Sequence, residues 1–288
     1  MISDFAKLAG PVMVLWLLGF LVLVIVAATL EGIVKTFITR QAYDWRAYAA
    51  SLGDAVGRYS VEALGLSLAA PLFAWAYSHR VTTLELSTPL SFAVLFFGQE
   101  FFYYWYHRAA HRVRWFWATH SVHHSPNELT LMAALRLGWT GKLTGTALFF
   151  TPLVWLGFSP VAVVGVVALN LLYQFWLHAP WMPRLGPLEW VFNTPAHHSI
   201  HHACNPEYLD RNYGGVLIIF DRLFGTFVSE KPGVPLVYGL TQPLHSYNPF
   251  RIALNEWFKL GRDILNAPGW KARAQALLGP PGGYTNKT

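Results

Sequence analysis

The twelve histidines of this chain are bunched, and five of them fall between His107 and His124. They read His107-Arg-Ala-Ala-His111, then eight residues, then His120-Ser-Val-His123-His124. A further burst follows at His197-His198-Ser-Ile-His201-His202. On a helix, positions three and four apart share a face, so each burst aims two or three imidazoles at one point. Neutral imidazole is a common ligand for transition metals. Few folds can bring three such bursts, distant along the chain, to one place.

The motifs hold eight candidate ligands: His107, His111, His120, His123, His124, His198, His201 and His202. About four or five protein ligands satisfy one ion in most sites, so the count points to two ions. His178 closes an apolar hairpin that returns to the cluster side and is a ninth candidate. His197 points about 100° away from His198 on a helix, which suits a place behind the ligands or against a substrate. His79 and His245 stand apart and read as structural. Glu100 precedes His107 by two helical turns and shares its face. It is a candidate to brace an imidazole, to line a lipid pocket, or to pair structurally with Gln99 or a tyrosine. Asp210, Asn212 and Asp221 follow the last burst, either orienting imidazoles or serving as turn and capping residues. Cys204 is expected to be a small buried residue. A lone cysteine excludes an internal disulfide and a cysteine zinc motif.

Only 12% of the residues are charged and 54% are hydrophobic, against about 25% charged in soluble domains. Pro11 to Leu30 is an uncharged run. At about 1.5 Å per residue it crosses a hydrocarbon core of about 30 Å, and it is too long for a signal-peptide core. Further spans are expected at 63–78, 89–106, 143–158 and 161–177, the last two as a hairpin turning at 157–160. The signal is weakest for the second span and the hairpin. The expected fold is an all-α integral membrane bundle of about four to five transmembrane helices, capped by a histidine-lined di-metal site. Five spans leave only Lys7 and Arg80 opposite the clusters and place the other 19 of 21 Lys and Arg on the cluster side. The positive-inside rule makes that side cytoplasmic. Phe250 to Leu265 reads as an amphipathic helix suited to a membrane surface. The expected organisation is transmembrane helices over 1–88, a catalytic domain with all three clusters over 89–230, and a C-terminal helix and tail over 231–288.

The net charge of +6 comes without a basic run interleaved with aromatics and without a helix-turn-helix or RNA-binding signature, so nucleic acid is not the expected partner. No HExxH, GxSxG, P-loop or dinucleotide fingerprint is present. The metal must then supply the reactivity, and a metal pair facing an apolar interior suits an unreactive lipid. The alternatives are a zinc-dependent membrane lipid hydrolase and a metal transporter or storage protein. A transporter requires ionisable ligands near the membrane midplane, where the expected spans hold little besides Gln99, Glu100, Asn170 and Gln174.

HRAAH, HSVHH and HHSIHH, in that order, resemble the fatty acid hydroxylase/sterol desaturase superfamily of membrane non-haem di-iron oxidases. The stretches Tyr173 to His178, Asn193 to His198 and Asn205 to Thr226 are particularly similar to its alkylglycerol monooxygenase branch. The likeness runs from about Gln99 to Glu230. It implies two Fe ions, O2 as oxidant, and hydroxylation or desaturation of a lipid C–H bond. By motif it implies nine ligands: His107, His111, His120, His123, His124, His178, His198, His201 and His202. It also implies electrons from outside. Nothing in the chain resembles a haem, flavin or nicotinamide domain, so a separate electron donor or reductant is expected. Arg108, Arg112 and Arg114, beside the first cluster, offer a basic surface for an acidic partner. Phe220 stands where relatives often carry Trp, a departure that should leave the metal site intact.

Overall fold

The computed structural model describes the backbone of residues 2–282 and the side chains of residues 18–282. Among the described residues the chain is all-helical, with isolated bridges and no sheet. Helix α1 (Ile2–Ile33) contains the first expected span, part of which lies outside the described side chains. A connecting loop leads to α2 (Trp45–Ala63) and α3 (Ala69–Ser78).

Helix α4 (Pro89–Arg112) is the axis of the molecule. It starts where its sequence says it should: Thr88 Oγ1 accepts from Ser91 N at 3.1 Å, Ser91 Oγ accepts from Thr88 N at 3.2 Å, and Pro89 takes the first helical position. Its 24 residues make a rod of about 36 Å, long enough to cross a bilayer core and carry histidines beyond it. One stripe, including Glu100, Tyr103, Tyr104, His107 and His111, is buried. The opposite face leaves Leu90, Val94 and Phe97 more than half exposed, and α1 does the same with Val22 and Leu23. Exposed apolar surface of this extent marks a membrane or partner face. By length and composition, Leu18–Ile38 and Pro160–Leu177 qualify as membrane-crossing helices. The second of these is α7, which runs parallel to α4, Glu100 meeting Asn170 and Tyr103 meeting Gln174.

Two expected spans differ from the expectation. The segment 63–78 yields α3, whose ten residues cover only about 15 Å. The segment 143–158 breaks into a 3-10 turn at Thr146–Phe149 and a six-residue α6 (Thr151–Leu156). Gly145 and Gly157 adopt φ of 82° and 132°, which helix interiors do not, and Pro152 cannot donate to the turn before it. The two segments instead run side by side. Leu68 N donates to Lys142 O at one end, and Val81 N to Trp155 O and Leu84 N to Gly157 O at the other. They pack on α4 and α7 through Phe73, Leu95, Phe150, Leu153, Phe158 and Val163.

After α4 the chain forms α5 (Arg114–His120), and after α7 it forms α8 (Pro195–His201) and α9 (Ile219–Leu223). Helix α10 (Pro249–Asn266) is amphipathic as expected, but its buried face of Ile252, Ala253 and Leu260 packs on the protein. Arg114 holds it through Asp263 at 2.6 Å, and Trp257 Nε1 donates to Thr140 Oγ1 at 3.0 Å. Phe250, Phe258 and Leu265 stay exposed on the outer face. Helix α11 (Gly269–Leu278) packs beside it.

Candidate metal centre

All nine candidate ligands meet, in two sets. His107, His111, His120, His124 and His201 form one; His123, His178, His198 and His202 form the other. Within each set the candidate ring nitrogens lie within 4.8 Å of one another. The last two turns of α4 supply His107 and His111. The end of α5 and the turn after it supply His120, His123 and His124. Helix α7 delivers His178 at its C-terminus, and α8 carries His198 and His201 with His202 just beyond. The i, i+4 pairs His107/His111, His120/His124 and His198/His202 each share a set, whereas His123 and His201 fall in the opposite set from their burst partners, so each HxxHH burst serves both sets rather than one point. Eight of the nine are buried, and His120 fronts a cavity.

Main-chain carbonyls fix four rings through Nδ1. His107 bonds Tyr213 O at 2.8 Å, His123 bonds Arg136 O at 3.1 Å, His178 bonds Gln174 O at 2.9 Å and His201 bonds Arg211 O at 2.9 Å. A carbonyl only accepts, so Nδ1 carries the proton and Nε2 presents a bare lone pair. His123 Nε2 and His178 Nε2 nonetheless face each other at 3.2 Å. No proton is available between them, and only a cation relieves that repulsion. The other Nε2 contacts repeat the spacing: His107 to His120 at 3.0 Å, His120 to His124 at 3.2 Å, His178 to His198 at 3.2 Å and His198 to His202 at 3.1 Å. Ligands at right angles on a metal–nitrogen bond of about 2.1 Å sit about 3.0 Å apart. The donor set therefore fits metal ions, and the histidines can bind them.

Burial pulls every one of the nine below the ordinary histidine value of 6.5, His107 to about 3 and His123 to about 4. The imidazoles are thus held neutral, as ligation requires. The unfolded chain takes up protons as pH falls below 6.5 while the folded chain refuses them. Stability is full above that value and is lost progressively towards pH 4 and below. We expect the melting temperature of the chelator-stripped protein in detergent to be flat between pH 7 and 8 and to fall steadily from pH 6.5 downward. Tryptophan fluorescence across a pH series checks this.

The surrounding polar candidates sort by what they hold. Glu100 touches no imidazole. Its Oε2 accepts from Val216 N and Leu217 N at 2.9 and 2.8 Å, and its Oε1 accepts from Asn170 Nδ2. Asn170 in turn bonds Gln174, whose Oε1 accepts from Tyr103 at 3.0 Å. Glu100 therefore clamps α4 and α7 to the loop 213–218 rather than bracing a ring directly. Asp221 does similar work from the other side, accepting from Tyr213 N, Gly214 N and Thr226 Oγ1 at 2.7 Å each. Since Tyr213 O fixes His107, both carboxylates act on that ring through the loop. Asp210 lies 3.8 Å from His111 Nδ1 and pairs with Arg112 at 2.6 Å. Asn212 ties the His197 carbonyl to Val228. Asp210 and Asn212 both have positive φ, which Asp and Asn tolerate better than most residues.

His197 joins neither set; it is buried against Phe227. His79 and His245 are exposed and remote from both sets. Cys204 is half-buried rather than buried, because it edges an opening described below. The three arginines read as a docking surface have intramolecular partners: Arg112 on Asp210, Arg114 on Asp263, and Arg108 on the Tyr104 hydroxyl at 3.1 Å. Sequence reasoning missed Arg136, Tyr213 and Arg211, because they act through backbone carbonyls that leave no residue-type signal.

Two cavities reach the histidines. An apolar one of about 490 Å³ touches His120 and His123 and runs between α3 and α7 past Phe73, Phe150, Val163 and Leu171. A polar one of about 330 Å³ touches His111, His124, His201 and His202, and is rimmed by Arg114, Lys259, Arg262 and Glu256.

Fold and centre together define a protein that is all-helical among the described residues and built round nine histidines that could hold metal. The fatty acid hydroxylase family model matches residues 92–226, a stretch that includes all nine rings. The alkylglycerol monooxygenases of Xenopus tropicalis and Homo sapiens are each 38% identical to the chain, over 76% and 75% of it, and in both cases over 48% of the relative. The ornithine lipid hydroxylase of Rhizobium tropici is 34% identical over 44% of the chain and 39% of the relative. The chain spans about half the length of the alkylglycerol monooxygenases it matches. No solved structure matches. Residues 92–226 thus match the fatty acid hydroxylase family, and about three quarters of the chain is similar to the alkylglycerol monooxygenases.

Proposed function

We propose that this protein is a membrane lipid monooxygenase in which the five- and four-histidine sets each hold an iron ion. The observation that carries the reading is the His123–His178 pair, two bare Nε2 lone pairs 3.2 Å apart. A five-histidine set also exceeds the four ligands usual for zinc, which disfavours the hydrolase alternative. Bound iron would supply activation of O2 and oxidation of a lipid C–H bond. The names of the relatives, which include alkylglycerol monooxygenase and ornithine lipid hydroxylase, favour hydroxylation of a lipid.

The chain's own residues perform the rest. The carbonyls of Tyr213, Arg136, Gln174 and Arg211 keep four Nε2 atoms unprotonated and aimed inward. Burial keeps bulk water from the rings. The apolar cavity admits a lipid chain to His120 and His123, and the polar opening gives a separate electron donor its approach to His111 and His124. On this reading the transmembrane helices of 1–88 precede a catalytic domain over 89–230 that contains further spans, and the positive-inside rule favours a centre on the cytoplasmic side.

Protein expressed with ample iron should carry about two irons per chain by metal mass spectrometry. Cells expressing it should accumulate lipid bearing one added oxygen atom. Zinc in both sets, with lipid turnover unaffected by removal of O2, would overturn the reading.

A further inference from the structure

Helix α10 carries a second apolar stripe that the protein does not use. Its inner face of Ile252, Ala253 and Leu260 is spent on α2 and α5. At about 100° per residue, Phe250, Leu254, Phe258 and Leu265 fall within an arc of about 80° on another side. Phe250, Phe258 and Leu265 are 66%, 72% and 79% exposed, and Trp270 at the start of α11 is 75% exposed. Single exposed apolar side chains are ordinary, but a row of them along one helix marks a contact surface. Arg251 and Arg262 stand next to the stripe, about 20° and 40° beyond Phe258, and both are exposed. Arg251 forms no ion pair among the described residues. Arg262 has only Asp263 beside it, at 3.7 Å, and Arg114 already holds that carboxylate at 2.6 Å. Glu256, Lys259 and Asp263 lie farther round the helix and edge the polar opening. They mark the side of α10 that faces water, and the apolar stripe looks the other way.

We propose that this stripe lies on the bilayer surface nearest the histidines, with Phe250, Phe258 and Leu265 among the acyl chains and Arg251 and Arg262 on anionic phospholipid headgroups. The inference rests on α4 and α7 crossing that bilayer and is independent of which metal the histidines hold. Packing sets the level of the helix. Only Val113 separates α5 from the end of α4, so α10, packed on α5, sits where α4 leaves the hydrocarbon. Phe250 meets the Trp139 ring at 5.1 Å, and Trp139 lines the apolar cavity, so the stripe begins beside the slot read as admitting lipid. Apolar side chains on one side, cations at the boundary and acids towards water form the pattern of a helix lying in the membrane interface. Charge also selects the occupant. Two copies of this chain meeting stripe to stripe about a twofold axis would set Arg251 and Arg262 against the same cations of the other copy. An anionic lipid surface attracts those cations instead.

The test is fluorescence quenching on the full chain in nanodiscs of phosphatidylcholine and phosphatidylglycerol. With the single cysteine, Cys204, changed to serine, a bimane is attached at Phe258→Cys or, for comparison, at Phe97→Cys on the exposed face of α4. Both sites are exposed, so neither label disturbs packing. Lipid brominated in its acyl chains should quench the label at 258, and iodide in the water should not. At matched bromine content, brominated phosphatidylglycerol should quench it more than brominated phosphatidylcholine, with a local enrichment of roughly fivefold for each cation engaged. In the Arg251→Gln, Arg262→Gln double variant the two lipids should quench alike while contact with bromine persists. Quenching at 258 by iodide and not by bromolipid overturns the proposal. Shielding from both quenchers overturns it too, because a second copy or another protein then covers the stripe. Equal quenching by the two bromolipids before the arginines are changed overturns the headgroup contact. Bromine contact at 97 without contact at 258 sinks this inference alone, whereas none at either position sinks the placement of the spans with it. No reading depends on turnover, so the oxygenase assignment stands or falls separately.

Discussion

Replacing His178 with alanine should remove about one of two bound metal ions and lower lipid oxidation by more than about a hundredfold. His178 Nε2 lies 3.2 Å from both His123 Nε2 and His198 Nε2, so its loss reduces the four-histidine set to three and opens an edge of it. The five-histidine set shares no ring with it and should keep its ion. The neighbouring control is His197→Ala. That ring is as buried as the others but packs on Phe227 outside both sets, so metal content should be unchanged. Parallel metal analysis of the two variants, with circular dichroism to confirm helical content, separates ligand loss from misfolding. Equal metal in wild type and His178→Ala would remove His178 from the ligand set.

The contrast between those two histidines shows what the sequence made legible. Helical spacing places His198, His201 and His202 on one face and turns His197 away from it. That is local geometry, and the structure follows it. The long apolar helices were legible for the same reason. The failures arise where non-local contacts decide. The run 143–158 is apolar enough for a span, but Gly145, Pro152 and Gly157 break it and α3 pairs with it through main-chain bonds. Arg112 and Arg114 looked free beside the first cluster, yet Asp210 and Asp263 take their charges, and Asp263 is 149 residues away from Arg114 in sequence. Glu100 was recognisable as an unusual carboxylate, but its partners are two peptide N–H groups and an amide. Backbone donors carry no residue identity, so no motif could announce them.

Glu100→Ala should therefore destabilise the protein by about 3–5 kcal/mol, since three buried donors lose their acceptor at once. The donors are Val216 N, Leu217 N and Asn170 Nδ2. Asn170 also loses the neighbour that orients it towards Gln174, so the Tyr103–Gln174 bond loosens with it. The damage then reaches the centre by a defined route. Loop 213–218 is held by Asp221 at residues 213–214 and by Glu100 at residues 216–217, and Tyr213 O, at the Asp221 end, fixes His107. With one anchor gone, the five-histidine set containing His107 should release its metal before the four-histidine set does. Glu100→Gln keeps the shape and one acceptor oxygen, but its amide turns N–H groups towards N–H groups, so an intermediate loss is expected. Thermal unfolding in detergent, paired with metal analysis after graded chelation, reads both effects. If Glu100→Ala melts like wild type, the carboxylate is not the clamp between α4, α7 and the loop. If it melts early but both sets lose metal together, the loop is not what singles out His107.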